Sequence, residues 1–157
     1  MAEGMRQLPA NEAERLAELR DYRILDTPPE AAFDDLARLA AQICGAPIGA
    51  VTFVDAERVW AKAHVGLAVR EMPRGGSLCA RAILKPGVFV VEDLAADPEF
   101  AAHPLAGAEV AIRFFAGAPL VSPNGYAIGG LCVLDWAPRR LTPQREEALQ
   151  VLGRQVI

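Results

Sequence analysis

Two strongly apolar runs flank a short polar turn in residues 112–135, and they form the clearest pattern in the chain. The turn reads Ser122-Pro123-Asn124-Gly125, and Asn-Gly is the strongest short signal for a β-hairpin because both residues tolerate positive φ. Neither run alternates cleanly between apolar and polar residues, so both faces of the two strands are largely apolar. Strands of this kind are covered on both sides, and the pattern therefore predicts a hairpin at the centre of a sheet.

The first strand of this hairpin is predicted to have two distinct faces. Ile112 and Phe114 lie on one face, whereas Arg113 and Phe115 lie on the other. We expect the Ile112 and Phe114 face to pack against helices. The opposite face is expected to meet either a ligand pocket or side chains that fill the same space. An open pocket there would indicate a sensor, and a filled one would indicate a scaffold.

Capping signals and helical spacing predict two helices near the start of the chain. Asn11 with Glu14 has the spacing of a capping box for a first helix that ends near Leu25. The segment 27–30, Thr-Pro-Pro-Glu, predicts the start of a second helix with its threonine as N-cap, and Gly45 ends that helix.

A last helix is predicted from Thr142-Pro143, with an apolar stripe that reaches Val156. No glycine cap or polar tail follows it, and we therefore expect the helix to continue into a downstream region. Residues 1–10 are expected to form a flexible tail, and residues 11–157 to form a single domain.

Strands and short helices are predicted between these ends. Trp60, Lys62 and His64 are expected to share one face of the second strand, because alternate residues of a strand do so. The order of elements with tight hairpins predicts an α+β fold, in which helices pack on one face of an antiparallel sheet. The predicted segments are strands at 48–54, 59–65 and 88–91, a loop at 66–76, and short helices at 77–84 and from Asp97 to before Pro104.

Composition narrows the class of protein. The 157 residues suffice for one domain with a core, and 52% apolar with 23% charged residues is typical of a globular chain. A net charge of −4 argues against nucleic acid as the main partner, and no apolar run is long enough to insert into a membrane. The N-terminus lacks the apolar stretch of a signal peptide, and three widely spaced cysteines favour the reducing cytoplasm.

The order of the motifs resembles the GAF domain family. The similarity begins near Arg15 and is closest to the subgroup found ahead of bacterial sensor histidine kinases and diguanylate cyclases. It rests on LRDYRILDTPPEAAFDDLARLAAQICGAPIGAVTFVD, RVWAKAHVGLAVREMPRGGSLCARAIL, VVEDLAADPEFAAHPL and IRFFAGAPLVSPNGYAIGGLCVLDWAPRRLTPQ.

The resemblance implies a central antiparallel sheet of five or six strands. The N- and C-terminal helices would pack on one face, and a small-molecule cavity would lie on the other. It also implies a homodimer through the terminal helices, a signal that passes along the last helix, and a downstream output domain in a two-component or related system.

Cys79 is the strongest candidate for a chemically reactive residue. If Ser77 caps a helix, Cys79 lies in its first turn, where a thiolate is favoured. Redox sensing and a covalent chromophore link are the functional interpretations, and a small buried apolar residue is the alternative. Cys44 and Cys132 are interpreted as core cysteines.

Three kinds of cofactor are disfavoured. The resemblance implies a histidine after the cysteine in bilin-binding members, and Ala80 stands there instead. The Asn-Lys-Phe-Asp-Glu signature of cyclic-nucleotide-binding members is absent from the sequence. His64 and His103 have no cysteine or carboxylate at metal-ligand spacing.

A set of aromatic, charged and thiol side chains is expected to line the pocket. Arg113 could bind a carboxylate or phosphate of a ligand, or it could form an ion pair with a surface acid. Asp93 is a candidate for acid–base chemistry, or it could stabilise a turn. A sensory pocket would have a volume of a few hundred cubic ångströms, whereas a packed core there would favour a scaffold. The candidates are Trp60, Lys62, Cys79, Asp93, Arg113 and Phe115, with Arg74 a further basic neighbour.

These features predict a sensory or regulatory module that binds a small molecule, dimerises, or does both, to control an output domain. Two alternatives remain: a ligand-free dimerisation scaffold, and a thiol-dependent reductase of the free methionine sulfoxide reductase type. No catalytic residue is assigned, and the module itself is not expected to be an enzyme.

Overall fold

Six antiparallel strands form one sheet in the order β3-β2-β1-β6-β5-β4. This computed structural model describes residues 8–68, 70–107 and 110–157, so most of the predicted flexible tail lies outside the described residues. The predicted α+β fold is confirmed. The strands are β1 Ile48–Val54, β2 Arg58–Val65, β3 Glu71–Pro73, β4 Phe89–Val91, β5 Phe114–Val121 and β6 Ala127–Asp135.

The long helices pack on one face of this sheet. They are α1 Glu12–Asp21, α2 Ala31–Cys44 and α4 Pro143–Val156, and the five-residue helix α3 Leu78–Ala82 lies on the other face. A 3₁₀ turn spans Pro104–Ala106. Among the described residues, none of these helices has the length and hydrophobicity that crossing a bilayer requires.

The predicted hairpin joins β5 and β6. Ser122 N–H donates to the Tyr126 carbonyl oxygen at 2.8 Å, and Gly125 has φ +90°, which explains the glycine in this turn. Phe114 packs in the helix-side core as expected. Ile112 does not: it precedes β5, donates its N–H to Leu105 O at 2.7 Å and belongs to the core on the opposite face.

Helix α2 approaches β1 closely. A Cβ at Gly49 would overlap the carbonyl oxygen of Ala37 and come within 3.2 Å of the Ala41 Cβ. Glycine at this position therefore sets the spacing between the helix layer and the sheet.

Several local predictions differ from the structure. The first helix ends at Asp21 rather than near Leu25, and the Asn11 side chain makes no capping hydrogen bond. The second helix begins at Ala31, because the Thr27 hydroxyl donates to the Ile24 carbonyl oxygen at 2.5 Å instead of capping a helix. The segment from Asp97 is a series of turns, in which the Asp97 carboxylate accepts from Glu99 N–H at 2.9 Å. The predicted loop at 66–76 contains β3, which pairs with β2.

A bulge at Lys62 breaks the expected alternation of β2. Val51 pairs with Ala63 and Thr52 pairs with Ala61, so Lys62 has no partner in this register. As a consequence, Trp60 belongs to the helix-side core, whereas His64 lines a cavity on the opposite face. The prediction that Trp60 and His64 share a face is wrong.

Candidate functional site

A small apolar cavity lies on the sheet face opposite the long helices. Its volume is about 50 Å³, far below the few hundred cubic ångströms expected for a sensory pocket. The floor comes from β1, β2, β5 and β6, and the cover comes from the start of α3 and from residues 67–68 and 70–77, which we call the strap. Exposed Arg70 and Glu71 are among its lining residues, so the cavity reaches the surface beside the strap.

Cys79 is placed over the cavity by the start of α3. Its N–H donates to the Ser77 hydroxyl at 3.2 Å, which confirms Ser77 as the N-cap. Gly117 lets this helix lie close to the sheet, because a Cβ there would come within 3.3 Å of Ala82 Cβ. Phe115 also lines the cavity, from β5.

Cys132 contacts Cys79 at the wall of the cavity, although the two residues are 53 positions apart. Their Sγ atoms are 3.7 Å apart, and both residues are buried. A hydrogen bond shared with the Cys132 thiol lowers the pKa of Cys79 despite its burial, and the hydroxyls of Thr52 and Ser77 lower it further. The pKa of Cys132 is raised well above its ordinary value by the same interaction and by burial.

Arg113 and Asp93 lie outside the cavity and bind each other. Arg113 Nε and Nη2 donate to the two carboxylate oxygens of Asp93 at 2.6 and 2.8 Å. The hydrogen bonds from Arg113 lower the pKa of Asp93. Asp93 also accepts from Ala95 N–H at 3.2 Å, so this pair stabilises the turn after β4 rather than lining the cavity.

Trp60 and Lys62 lie on the helix side of the sheet, which places them away from the cavity. The Lys62 side chain is fully buried, and its Nζ lies 2.7 Å from both Glu30 Oε2 and Thr27 Oγ1. Their expected role as pocket residues does not match these positions, and the bulge in β2 is the reason. Lys62 instead holds the segment between α1 and α2 against the sheet.

Arg74 is also removed from the cavity. It is buried and donates to both oxygens of Glu12 in α1, at 2.6 and 3.1 Å. Of the six candidates, therefore, Cys79 and Phe115 meet at the cavity, and the other four lie away from it.

Sequence reasoning missed Cys132 and Thr52 as cavity residues. The signal for Cys132 was the register of the hairpin: Phe115 pairs with Leu134 and Gly117 pairs with Cys132, which places Cys132 on the Phe115 face. The signal for Thr52 was the alternation of β1, which places Ile48, Ala50 and Thr52 on the cavity face.

Comparison with known proteins identifies the family. The family model described as "GAF domain" matches residues 28–157, which is most of the chain. The chain therefore belongs to the GAF domain family, as the order of its motifs predicted.

One curated relative is a cyclic di-GMP phosphodiesterase of Pseudomonas aeruginosa. It is 37% identical over 141 residues, which make up 90% of this chain and 24% of that protein. The chain thus spans about a quarter of the length of the curated relative that it matches.

Solved structures share the fold. The GAF domain of an Acinetobacter phosphoenolpyruvate-protein phosphotransferase has a TM-score of 0.68 and 17% identity, over 95% of this chain and 92% of that one. A free methionine-R-sulfoxide reductase of Neisseria meningitidis has a TM-score of 0.64 and 23% identity, over 90% and 83% of the two chains. At these identities the similarity extends to the fold alone.

Proposed function

We propose that this chain is the regulatory domain of a bacterial signalling protein and that the cavity beside Cys79 receives its input. The 37% identity to one segment of a larger phosphodiesterase carries this proposal, because in that relative the matching segment is a minor part of the protein. Sensor kinases, diguanylate cyclases and, given this relative, cyclic di-GMP phosphodiesterases are the candidate outputs. Three unpaired cysteines fit a reducing cytoplasm.

Helix α4 is the proposed route to the output. It packs on β5, the strand that carries Phe115 to the cavity, and a Cβ at Gly153 would contact Ala118 Cβ at 3.6 Å. A shift of β5 caused by a bound molecule would therefore be transmitted directly to α4. In this proposal the domain regulates and does not itself catalyse a reaction.

The cavity volume restricts the ligand. About 50 Å³ accommodates a molecule of a few non-hydrogen atoms, and a larger ligand requires the strap to move outward. The walls are mostly apolar; Thr52, Ser77 and His64 supply polar groups, and the exposed Arg70 and Glu71 supply charged groups where the cavity reaches the surface. These features favour a small, weakly polar ligand.

Native mass spectrometry of freshly purified protein tests this proposal, because it reports bound mass and oligomeric state together. Ala50 lines the cavity, and Ala50→Leu would fill it. Ala32→Leu makes the same change at an exposed position of α2 and serves as the matched control. We expect a bound small molecule in the wild type and Ala32→Leu and its loss in Ala50→Leu.

A ligand-free scaffold is the alternative that the small cavity favours. It predicts no bound mass in any of the three proteins. A reductase is favoured only by the Cys79–Cys132 pair, and it predicts turnover of free methionine sulfoxide that Cys79→Ser abolishes. Absence of turnover in the wild type removes that alternative.

We also propose that a second copy of this chain packs on the outer side of the helix layer. Leu39 on α2 and Val151 on α4 are exposed, and each lies on the side of its helix opposite the buried stripe. The two helices are neighbours, so the exposed side chains belong to one surface. A homodimer would bury them.

A further inference from the structure

The cavity brings two thiols together on one side of the sheet. We propose that Cys79 and Cys132 form a redox site, in which a hydroperoxide converts the pair into an intramolecular disulfide. Formation of this disulfide does not depend on the proposed function, whereas its role as a regulatory input rests on that function.

The positions of the two sulfur atoms suit this reaction. They are 3.7 Å apart, and a disulfide bond is about 2.05 Å long, so the atoms need to approach by about 1.7 Å. Cys132 lies in β6, which is paired on both sides, whereas Cys79 lies at the start of the five-residue helix α3. The movement therefore falls on α3 and the strap rather than on the sheet.

The surroundings assign different roles to the two cysteines. The two thiols share a hydrogen bond, and this interaction lowers the pKa of Cys79, in the first turn of α3, and raises that of Cys132. Because the thiolate is the nucleophile, Cys79 is the residue that attacks the peroxide. Cys132 keeps its proton and acts as the resolving thiol.

Access also favours Cys79. It lines the cavity and is 7% exposed, compared with 1% for Cys132 and 0% for Cys44. The cavity holds a molecule of a few non-hydrogen atoms, and the two oxygen atoms of hydrogen peroxide fit that volume. Cys44 lies in the helix-side core, where burial raises its pKa. It therefore serves as an internal control thiol that is expected not to react.

The reaction balances in two steps. The Cys79 sulfur attacks one peroxide oxygen; an S–O bond forms, the O–O bond breaks, and the leaving oxygen takes the thiol proton as an alcohol or, from hydrogen peroxide, as water. The Cys132 sulfur then attacks the Cys79 sulfenic acid; an S–S bond forms, the S–O bond breaks, and the hydroxyl leaves as water with the Cys132 proton. The two thiols are oxidised by two electrons in total, and the peroxide is reduced.

Formation of the disulfide is expected to move the start of α3 and the strap, which together cover the cavity. Ser77, which caps α3, also donates to the Met72 Sδ at 3.7 Å and so links the start of α3 to β3. Drawing Cys79 toward β6 would pull on this link and reduce the cavity. A reduced and an oxidised domain would then present different strap positions.

Peroxide titration with mass analysis tests this proposal. Wild-type protein is treated with hydrogen peroxide, quenched with acid, alkylated in denaturant and mapped by peptide mass spectrometry. We expect a Cys79–Cys132 peptide that loses two hydrogen masses and returns to two thiols with a small dithiol, while Cys44 stays alkylatable. Cys79 should be consumed at least about tenfold faster than Cys44, because Cys79 lines the cavity whereas Cys44 is fully buried in the helix-side core.

Three variants separate the roles. Cys44→Ala should form the disulfide as the wild type does. Cys132→Ala should stop at a Cys79 sulfenic acid that dimedone traps, and Cys79→Ala should leave Cys132 reduced. The proposal is overturned if peptide mapping of peroxide-treated wild type shows no Cys79–Cys132 disulfide. It is also overturned if all three thiols react as fast as they do in urea-unfolded protein. Both outcomes are measured on the wild type and do not depend on the folding of a variant.

The covalent readout is independent of ligand binding. A disulfide that forms without any non-covalent ligand in native mass spectrometry would count against the ligand-binding part of the proposed function alone. A bound ligand with no disulfide would count against the redox site alone.

Discussion

Arg74 and Glu12 form a two-bond ion pair across 62 positions of sequence, with Nη1 to Oε2 at 2.6 Å and Nη2 to Oε1 at 3.1 Å. Glu12 also accepts from Arg15, whose side chain is fully buried. Burial by itself would raise the pKa of Glu12, but the hydrogen bonds and charges of the two arginines outweigh it and lower the pKa to about 2. This cluster attaches α1 to the region after β3.

Neutralising Glu12 should destabilise the protein. Glu12→Gln leaves two buried guanidinium groups without their carboxylate, and we expect a loss of about 2–3 kcal/mol in the free energy of unfolding. Urea unfolding measures it. Glu14→Gln, at an exposed position of the same helix, is the control and should change the free energy by less than about 0.5 kcal/mol. Equal midpoints for the two variants would contradict the cluster's role.

The same carboxylate makes stability depend on pH. Its pKa is about 2 in the folded protein, against an ordinary value of 4.5, so the unfolded chain takes up the proton first as pH falls. The stabilisation is therefore complete above about pH 4.5 and is lost progressively toward pH 2. The difference in unfolding free energy between wild type and Glu12→Gln should shrink over this range. A difference that stays constant would argue against the lowered pKa.

Lys62 should hold the segment between α1 and α2. Lys62→Met keeps an apolar side chain but removes the contacts with Glu30 and Thr27, and we expect a loss of about 1–3 kcal/mol. Amide hydrogen exchange should also accelerate in residues 26–30. Lys85→Met, at an exposed position, should change neither quantity. If Lys62→Met is as stable as the wild type, the buried ammonium does not stabilise this segment.

The spacing between α2 and β1 can be tested with two glycines. Gly49→Ala forces a Cβ into the Ala37 carbonyl group, so we expect a loss of at least about 2 kcal/mol. Gly75→Ala places its Cβ in open space and should be nearly neutral. Thermal and urea unfolding of the pair give the comparison. A well-tolerated Gly49→Ala would mean that α2 lies farther from the sheet.

The proposed homodimer predicts a charge effect on the outer helix surface. Val151→Glu, or Leu39→Glu, would place a carboxylate in the apolar contact and shift the protein toward monomer, with a dissociation constant raised at least about tenfold. Sedimentation velocity over a range of concentrations measures the shift. Ala56→Glu, in the exposed turn after β1, is the control. A wild type that stays monomeric at high concentration excludes this interface for the chain.

The fold was largely predictable because its signals are local. The Asn-Gly turn, the Ser77 and Thr142 caps and the left-handed Gly45 each depend on residues within a few positions of one another. Backbone preferences and short hydrogen bonds of this range act in the same way in any fold. The order of the resulting elements was enough to indicate the family.

The candidate site was less predictable because its contacts are long-range. Asp93 and Arg113 were each expected in the pocket, yet they neutralise each other outside it. Trp60 and Lys62 were assigned to the wrong face because a single unpaired residue reverses the alternation of a strand. Nothing in the neighbouring residues reveals such a bulge.

By itself the sequence determined the order of the main helices and strands, the central hairpin and the membership of the GAF family. Only the tertiary structure decided that Cys79 meets Cys132, that the cavity is small, and that Asp93 pairs with Arg113 outside it. The physical reason is that these relationships depend on strand register and helix packing, which combine residues from distant parts of the chain.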